Sequence, residues 1–168
     1  MENTELLPDK QAAVLESQRR FYQVTCGLPA RVRLEYSRIE FRVGSVGAVT
    51  MPALLGALVK AHMLAQRNGR VGPIVSHPRS KRWTFLVCPD IPGDASLSAK
   101  LFRYNVSVVP IGGEVALPSL FDTSDPSVGY REWVHKPSDG YRPPGTEIVE
   151  AIRCCVSALP SSDSGRVR

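Results

Sequence analysis

The sequence predicts an α+β fold, a mixed and largely antiparallel sheet with about three helices packed on it. Apolar residues recur at helical spacing near the N-terminus, after residue 50 and near the C-terminus. Between these stretches lie short alternating or continuously apolar runs closed off by Gly and Pro. The order of the segments is irregular, unlike the strand–helix alternation of a doubly wound sheet, and a sheet of this kind leaves a face or an edge open to a partner.

Taken in order, the first helix runs from Leu6 to Val24, with Leu7, Val14, Leu15, Phe21 and Val24 inward and Glu16, Arg19 and Arg20 outward; Gly27 and Pro29 stop it. Residues 31–36 alternate charged and apolar side chains as a half-buried strand does, and residues 39–43 supply a second strand. Gly44-Ser45-Val46-Gly47 reads as a turn. Thr50 followed by Met51-Pro52 reads as the capped start of a helix whose apolar face holds Leu54, Leu55, Leu58, Val59, His62 and Met63 and which Asn68-Gly69 ends. Residues 71–76 and 83–88 are strands, joined as a hairpin whose tip carries Arg79, Lys81 and Arg82. A short helix over 97–104 follows, then strands over 106–109 and 114–117 around the Gly112-Gly113 turn. Residues 121–128 read as a surface loop rich in Asp, Ser, Thr and Pro, and residues 130–134 as a strand. The last helix, over 146–159, has Thr146 at its cap and Ile148, Val149, Ile152 and Val156 inward. No internal repeat or heptad is visible.

A chain of 168 residues, 43% hydrophobic and 22% charged, fits one domain over 1–160 with a short, disordered polar tail over 161–168. No apolar run approaches the ~20 residues of a membrane span, and the acidic N-terminus lacks a secretory signal, so the expected setting is the cytoplasm. Cys26, Cys88, Cys154 and Cys155 form neither a metal-binding nor a disulfide framework by spacing, and read as buried or incidental thiols.

The net charge of +5 is unevenly spread. Residues 41–89 hold seven Arg or Lys and no Asp or Glu, whereas residues 1–40 balance six against six. A cationic face of this kind attracts phosphate, nucleic acid or an acidic protein. Within the span, Arg79, Lys81 and Arg82 at the hairpin tip, backed by Arg67 and Arg70, are the candidate anion-binding residues. Trp83, Trp133 and Arg131 are candidates for stacking or interface contact. His77 lies beside the tip, but a placed nucleophile, base and orienter are not apparent around it. Asp90, Asp94, Glu114, Asp122 and Asp125 are the carboxylates a divalent metal would use, and they sit mostly in turns and loops rather than on rigid backbone. The glycine pairs match no nucleotide-binding loop, and the sequence asks for no cofactor.

Residues 83–87, the Glu114-Val115-Ala116-Leu117-Pro118-Ser119 element and Gly129-Tyr130-Arg131-Glu132-Trp133-Val134 together resemble the late part of the small primase-polymerase domains of actinobacterial and phage proteins, over roughly residues 50–137. The resemblance implies template-directed nucleotide addition by an alternating acidic pair on one strand and a histidine on its neighbour, for which Ser76-His77 is the counterpart. This chain has no Asp-x-Asp or Asp-x-Glu on a strand, so the resemblance implies a degenerate, nucleic-acid-associated relative.

The leading expectation is therefore a non-enzymatic binding or regulatory protein that contacts nucleic acid, or a nucleic-acid-bound complex, through phosphate. The alternatives are an interaction module docking an acidic protein and a metal-dependent nucleotidyl or phosphoryl transferase. An exposed sheet edge would also permit a homodimer.

Overall fold

A computed structural model describes residues 6–122 and 130–159 of the chain. The expected tail and most of the expected 121–128 loop lie outside them. The described residues form an α+β fold with two antiparallel sheets.

Helix α1, Leu6–Val24, is followed by β1, Ala30–Arg33, and β2, Arg38–Arg42. Its buried stripe is Leu15 and Tyr22, with Gln11 and Gln18 on the same side; Val14, Phe21 and Val24, expected inside, are exposed. The polar pair explains the rotation. Gln11 donates to Ser37 Oγ at 2.8 Å and Gln18 Oε1 accepts from the Leu120 N–H at 3.2 Å, so both amides anchor the helix to segments outside it. Gly27, at φ +61°, supplies the left-handed turn after the helix.

Strand β3, Gly47–Pro52, occupies the segment expected to be a turn and a helix cap. Helix α2 then begins at Ala53 and runs to Ala65. Thr50 is therefore a strand residue, and no side chain caps α2; the Ala53 N–H donates instead to the Lys81 carbonyl at 2.9 Å. Strands β4, Ile74–His77, and β5, Arg82–Val87, form the expected hairpin, and α3, Ala95–Phe102, precedes the short β6, Ser107–Val108. Strands β7, Glu114–Leu117, and β8, Glu132–His135, and helix α4, Gly145–Ser157, complete the fold.

The smaller sheet has the order β1-β2-β7 and the larger the order β6-β3-β5-β4-β8. One face of the larger sheet, with Val49, Met51, Ile74, Phe85 and Val87, packs under α2 and α4 through Leu55, Val59, Ile148 and Ile152. Its other face, with Ala48, Val75 and Leu86, shares a second core with Leu15 and Tyr22 of α1 and with Ile39, Phe41, Val115 and Leu117 of the smaller sheet. Strand β5 is thus covered on both sides, as its continuous apolar run requires. Among the described residues, the smaller sheet is covered on one side only. Its alternation sends Ile39 and Phe41 inward and Arg38, Glu40 and Arg42 outward.

Asp90 closes the junction between β5 and α4. Its two oxygens accept from Thr146 N at 3.1 Å and Thr146 Oγ1 at 2.9 Å, so Thr146 is the residue being capped and not the cap. The fit leaves no room at Gly145, where a Cβ would lie 3.0 Å from the Cys88 carbonyl oxygen and 2.6 Å from Ile91 Cγ1. Gly145→Ala is expected to cost about 1–2 kcal/mol through this overpacking, read as a lower urea midpoint with unchanged slope.

Candidate nucleic-acid interface

The hairpins β1–β2 and β4–β5 are built alike. Each turns through three residues of 3-10 helix, Leu34–Tyr36 or Pro78–Ser80, and then one left-handed residue, Ser37 at φ 49° or Lys81 at φ 54°. The residue after the turn is arginine in both, Arg38 and Arg82. The sequence hides this likeness, because residues 34–37 and 78–81 share no identity.

On the larger sheet, the face that is apolar at Ala48, Leu86 and Val75 becomes polar toward the hairpin turn. Thr50, Thr84, His77 and Arg82 stand there on neighbouring strands. Arg82 Nε donates to Thr50 Oγ1 at 3.2 Å and Nη2 to the Asn105 carbonyl at 2.7 Å, which lays the guanidinium across β3. These residues, with Ser80, Arg131 and Glu114–Ala116, line an open cleft of about 320 Å³ between the larger sheet and β7.

His77 Nε2 lies 2.9 Å from Thr84 Oγ1. Burial, with the charges of Arg131 and Arg82 beside it, pulls the imidazole down to about 4, so it is neutral at physiological pH. Arg131 and Asp122 form a mostly buried pair at 3.0 Å. Burial outweighs their mutual attraction for both partners, raising the Asp122 carboxyl and lowering the Arg131 guanidinium from their ordinary values.

Beyond β7 the outward face of the smaller sheet continues the cleft. Arg31, Arg33, Arg38 and Arg42 lie on it around Glu40, with Glu114 at the far strand. Glu40 is 1% exposed although its face looks outward, because arginines cover it. Arg31 Nη2 donates to Glu40 Oε1 at 3.0 Å, and Arg33 Nε stands 3.8 Å from the same oxygen. Arg38 Nη2 is 2.9 Å from Oε2, an ion-pair contact out of line for a hydrogen bond. Among the described residues, the buried Nε atoms of Arg31, Arg33 and Arg38 and the buried Glu40 Oε2 have no hydrogen-bond partner, so the cluster is held by charge more than by aligned hydrogen bonds. Glu114 accepts from Arg31 at 2.5 Å and from Arg42 at 3.4 Å.

The hairpin tip and this face together carry Arg31, Arg33, Arg38, Arg42, Arg79, Lys81, Arg82 and Arg131, against Glu35, Glu40, Glu114 and Asp122. The structure brings Arg79, Lys81 and Arg82 together at the tip but puts Arg67 and Arg70 elsewhere. The tip adjoins the first residue of α2, whereas Arg67 and Arg70 follow its last, about 20 Å away for a helix of this length. Arg70 is also engaged there, paired with Asp139 at 3.1 Å and lying 3.8 Å from the centre of the Tyr141 ring.

The two tryptophans point to opposite cores. Trp83 packs against Gly56 of α2, and Trp133 meets Tyr22 edge-on at 5.8 Å while its Nε1 donates to Tyr22 Oη at 3.0 Å. Each serves mainly its own core. Burial pushes the Tyr22 phenol up to about 12, which suits its use as a structural hydrogen-bond hub.

The expected metal carboxylates are dispersed. Asp90 caps α4, Asp94 caps α3 through Ser96 N at 3.0 Å, Glu114 and Asp122 are paired with arginine, and Asp125 lies outside the described residues. Among the described residues no group of three or more His, Cys, Asp or Glu is placed to hold a metal, and no helix is long and apolar enough to cross a membrane. All four cysteines are free thiols, Cys26 buried and Cys154 exposed.

Sequence reasoning missed the arginine face. Counting charges over residues 1–40 cancels its arginines against acids spread along the segment, yet the alternation Arg31-Val32-Arg33 and Arg38-Ile39-Glu40-Phe41-Arg42 already placed these side chains on one side. No protein-family model, curated protein or solved structure matches this chain.

Proposed function

We propose that this protein binds nucleic acid through its phosphate backbone, using the hairpin tip at Arg79, Lys81 and Arg82 and the arginine face at Arg31, Arg33 and Arg38. The observation that carries the reading is the gathering of Arg31, Arg33, Arg38 and Arg42, each about a third or more exposed, on one outward sheet face. Phosphate oxygens accept from the exposed edges of such guanidinium groups, which present their donors in a fork that fits phosphate. Backbone contact fits better than base readout, because the cations of this interface lie on a sheet face and a turn rather than along a helix. The resemblance to primase-polymerase domains points to the same class of partner, without the acidic pair that nucleotide addition would need.

The test is a salt titration of binding to oligo-dT and to a duplex of equal length. Changing Arg79, Lys81 and Arg82 together to Ala is expected to weaken binding and to flatten the slope of log K against log salt by about 2 for the single strand. Unchanged affinity and slope would remove the tip from the interface. Failure to bind either probe at roughly 50 mM salt, with capture of poly-glutamate instead, would replace this reading with an acidic protein partner.

A further inference from the structure

We infer that the interface is built for a single strand, with one base stacked on Tyr36 and the adjoining phosphates on Arg38, Arg33 and Arg31; this rests on the phosphate-backbone reading above. Tyr36 ends the 3-10 turn between β1 and β2 and is 66% exposed, which leaves its ring open to a ligand. The turn holds it there. Ser37 at φ 49° fixes the reversal, and Gln11 of α1 ties Ser37 Oγ at 2.8 Å.

The ring also adjoins the arginine face. The Arg38 guanidinium carbon lies 5.4 Å from the Tyr36 centroid, and Arg38 is the cross-strand partner of Arg33. Arg38 thus touches both the aromatic surface and the buried Glu40 around which the arginines gather. An aromatic ring beside a row of cations is the arrangement that accepts an unstacked base and its phosphates together.

A duplex offers no free base face except at its ends, so Tyr36 has nothing to stack on along a duplex.

Fluorescence anisotropy with oligo-dT, oligo-rU and a duplex of equal length separates the outcomes. Either single strand is expected to bind more tightly than the duplex. Tyr36→Ala should weaken single-strand binding roughly 5- to 150-fold, leave duplex binding unchanged and leave the salt slope unchanged, since no phosphate contact is lost. Tyr36→Trp should restore the affinity. Tyr36→Leu keeps apolar bulk without a π face and should behave as Ala does. Thermal unfolding of each variant checks that the exposed substitution leaves the fold intact.

Full affinity in Tyr36→Leu, or duplex binding as tight as single-strand binding, overturns the stacking inference while leaving phosphate binding in place. Loss of all nucleic-acid binding in the wild type at low salt overturns the phosphate reading itself.

Discussion

Glu40→Gln is expected to lower stability and at the same time tighten binding to oligo-dT. Among the described residues, Glu40 is the only carboxylate that Arg31, Arg33 and Arg38 all approach within 4 Å, and it is 1% exposed. Neutralising it leaves three guanidinium groups close together without their shared counter-charge, and the new amide N–H₂ faces donors with a donor. Removing one partner of a fully buried pair costs about 3–5 kcal/mol; because these arginines are about a third exposed, water screens part of the loss, and about 2–4 kcal/mol is expected. Binding moves the other way. The substitution raises the net charge of the face by one at its centre, which favours phosphate and should show as several-fold tighter binding at low salt that fades as salt rises. Urea unfolding and anisotropy on the same preparation measure the two effects. Unchanged stability would mean that Glu40 is not the counter-charge of the cluster. Weaker binding by a protein that remains folded would move the interface off this face.

That opposition explains why the face was hard to find by counting. A carboxylate that holds an arginine cluster together also cancels part of its charge in a linear sum, so residues 1–40 look neutral. Alternation survives where the sum does not, since it reports which side of a strand each residue takes. The converse holds for the acid-free span. Arg70 looked unopposed because its partner Asp139 lies 69 residues further on, and no local pattern announces such a pairing. Most elements were legible from periodicity and breakers, including α1, the β4–β5 hairpin, β7 and α4. Strand β3 was not. Its Thr50 and Pro52 are the residue types of a helix start, but tertiary pairing with β5 overrides them, and Pro52 is tolerated because it ends the strand. The hidden stripe of α1 failed for a similar reason: Gln11 and Gln18 became useful only once Ser37 and Leu120 lay opposite them.

Stability should also fall steeply between pH 6.5 and pH 4, and His77→Gln should remove most of that fall. In the folded chain His77 is drawn from its ordinary value of 6.5 down to about 4, first by burial and then by the charges of Arg131 and Arg82. The unfolded chain therefore takes up the proton at a pH where the folded chain resists it. By linkage the stabilising contribution is complete above pH 6.5, declines as pH falls, and is lost once pH passes below about 4. At about 1.4 kcal/mol per tenfold change, the gap amounts to about 3 kcal/mol. Asp122 opposes this in part, because its raised carboxyl favours the fold on the acid side. The comparison is thus wild type against His77→Gln, with Asp122 present in both. Gln keeps an amide that reaches toward Thr84 Oγ1 but has no proton to gain. Urea midpoints measured across the window should converge toward its acid end, the wild type losing its lead. Parallel curves would show that His77 titrates as it does in the unfolded chain, and that the polar floor of the cleft is open to water rather than closed by Thr84, Arg82 and Arg131. A neutral imidazole at working pH also leaves phosphate recognition in this cleft to the guanidinium groups, so the His77 variant should bind oligo-dT as the wild type does at pH 7, while losing its acid sensitivity.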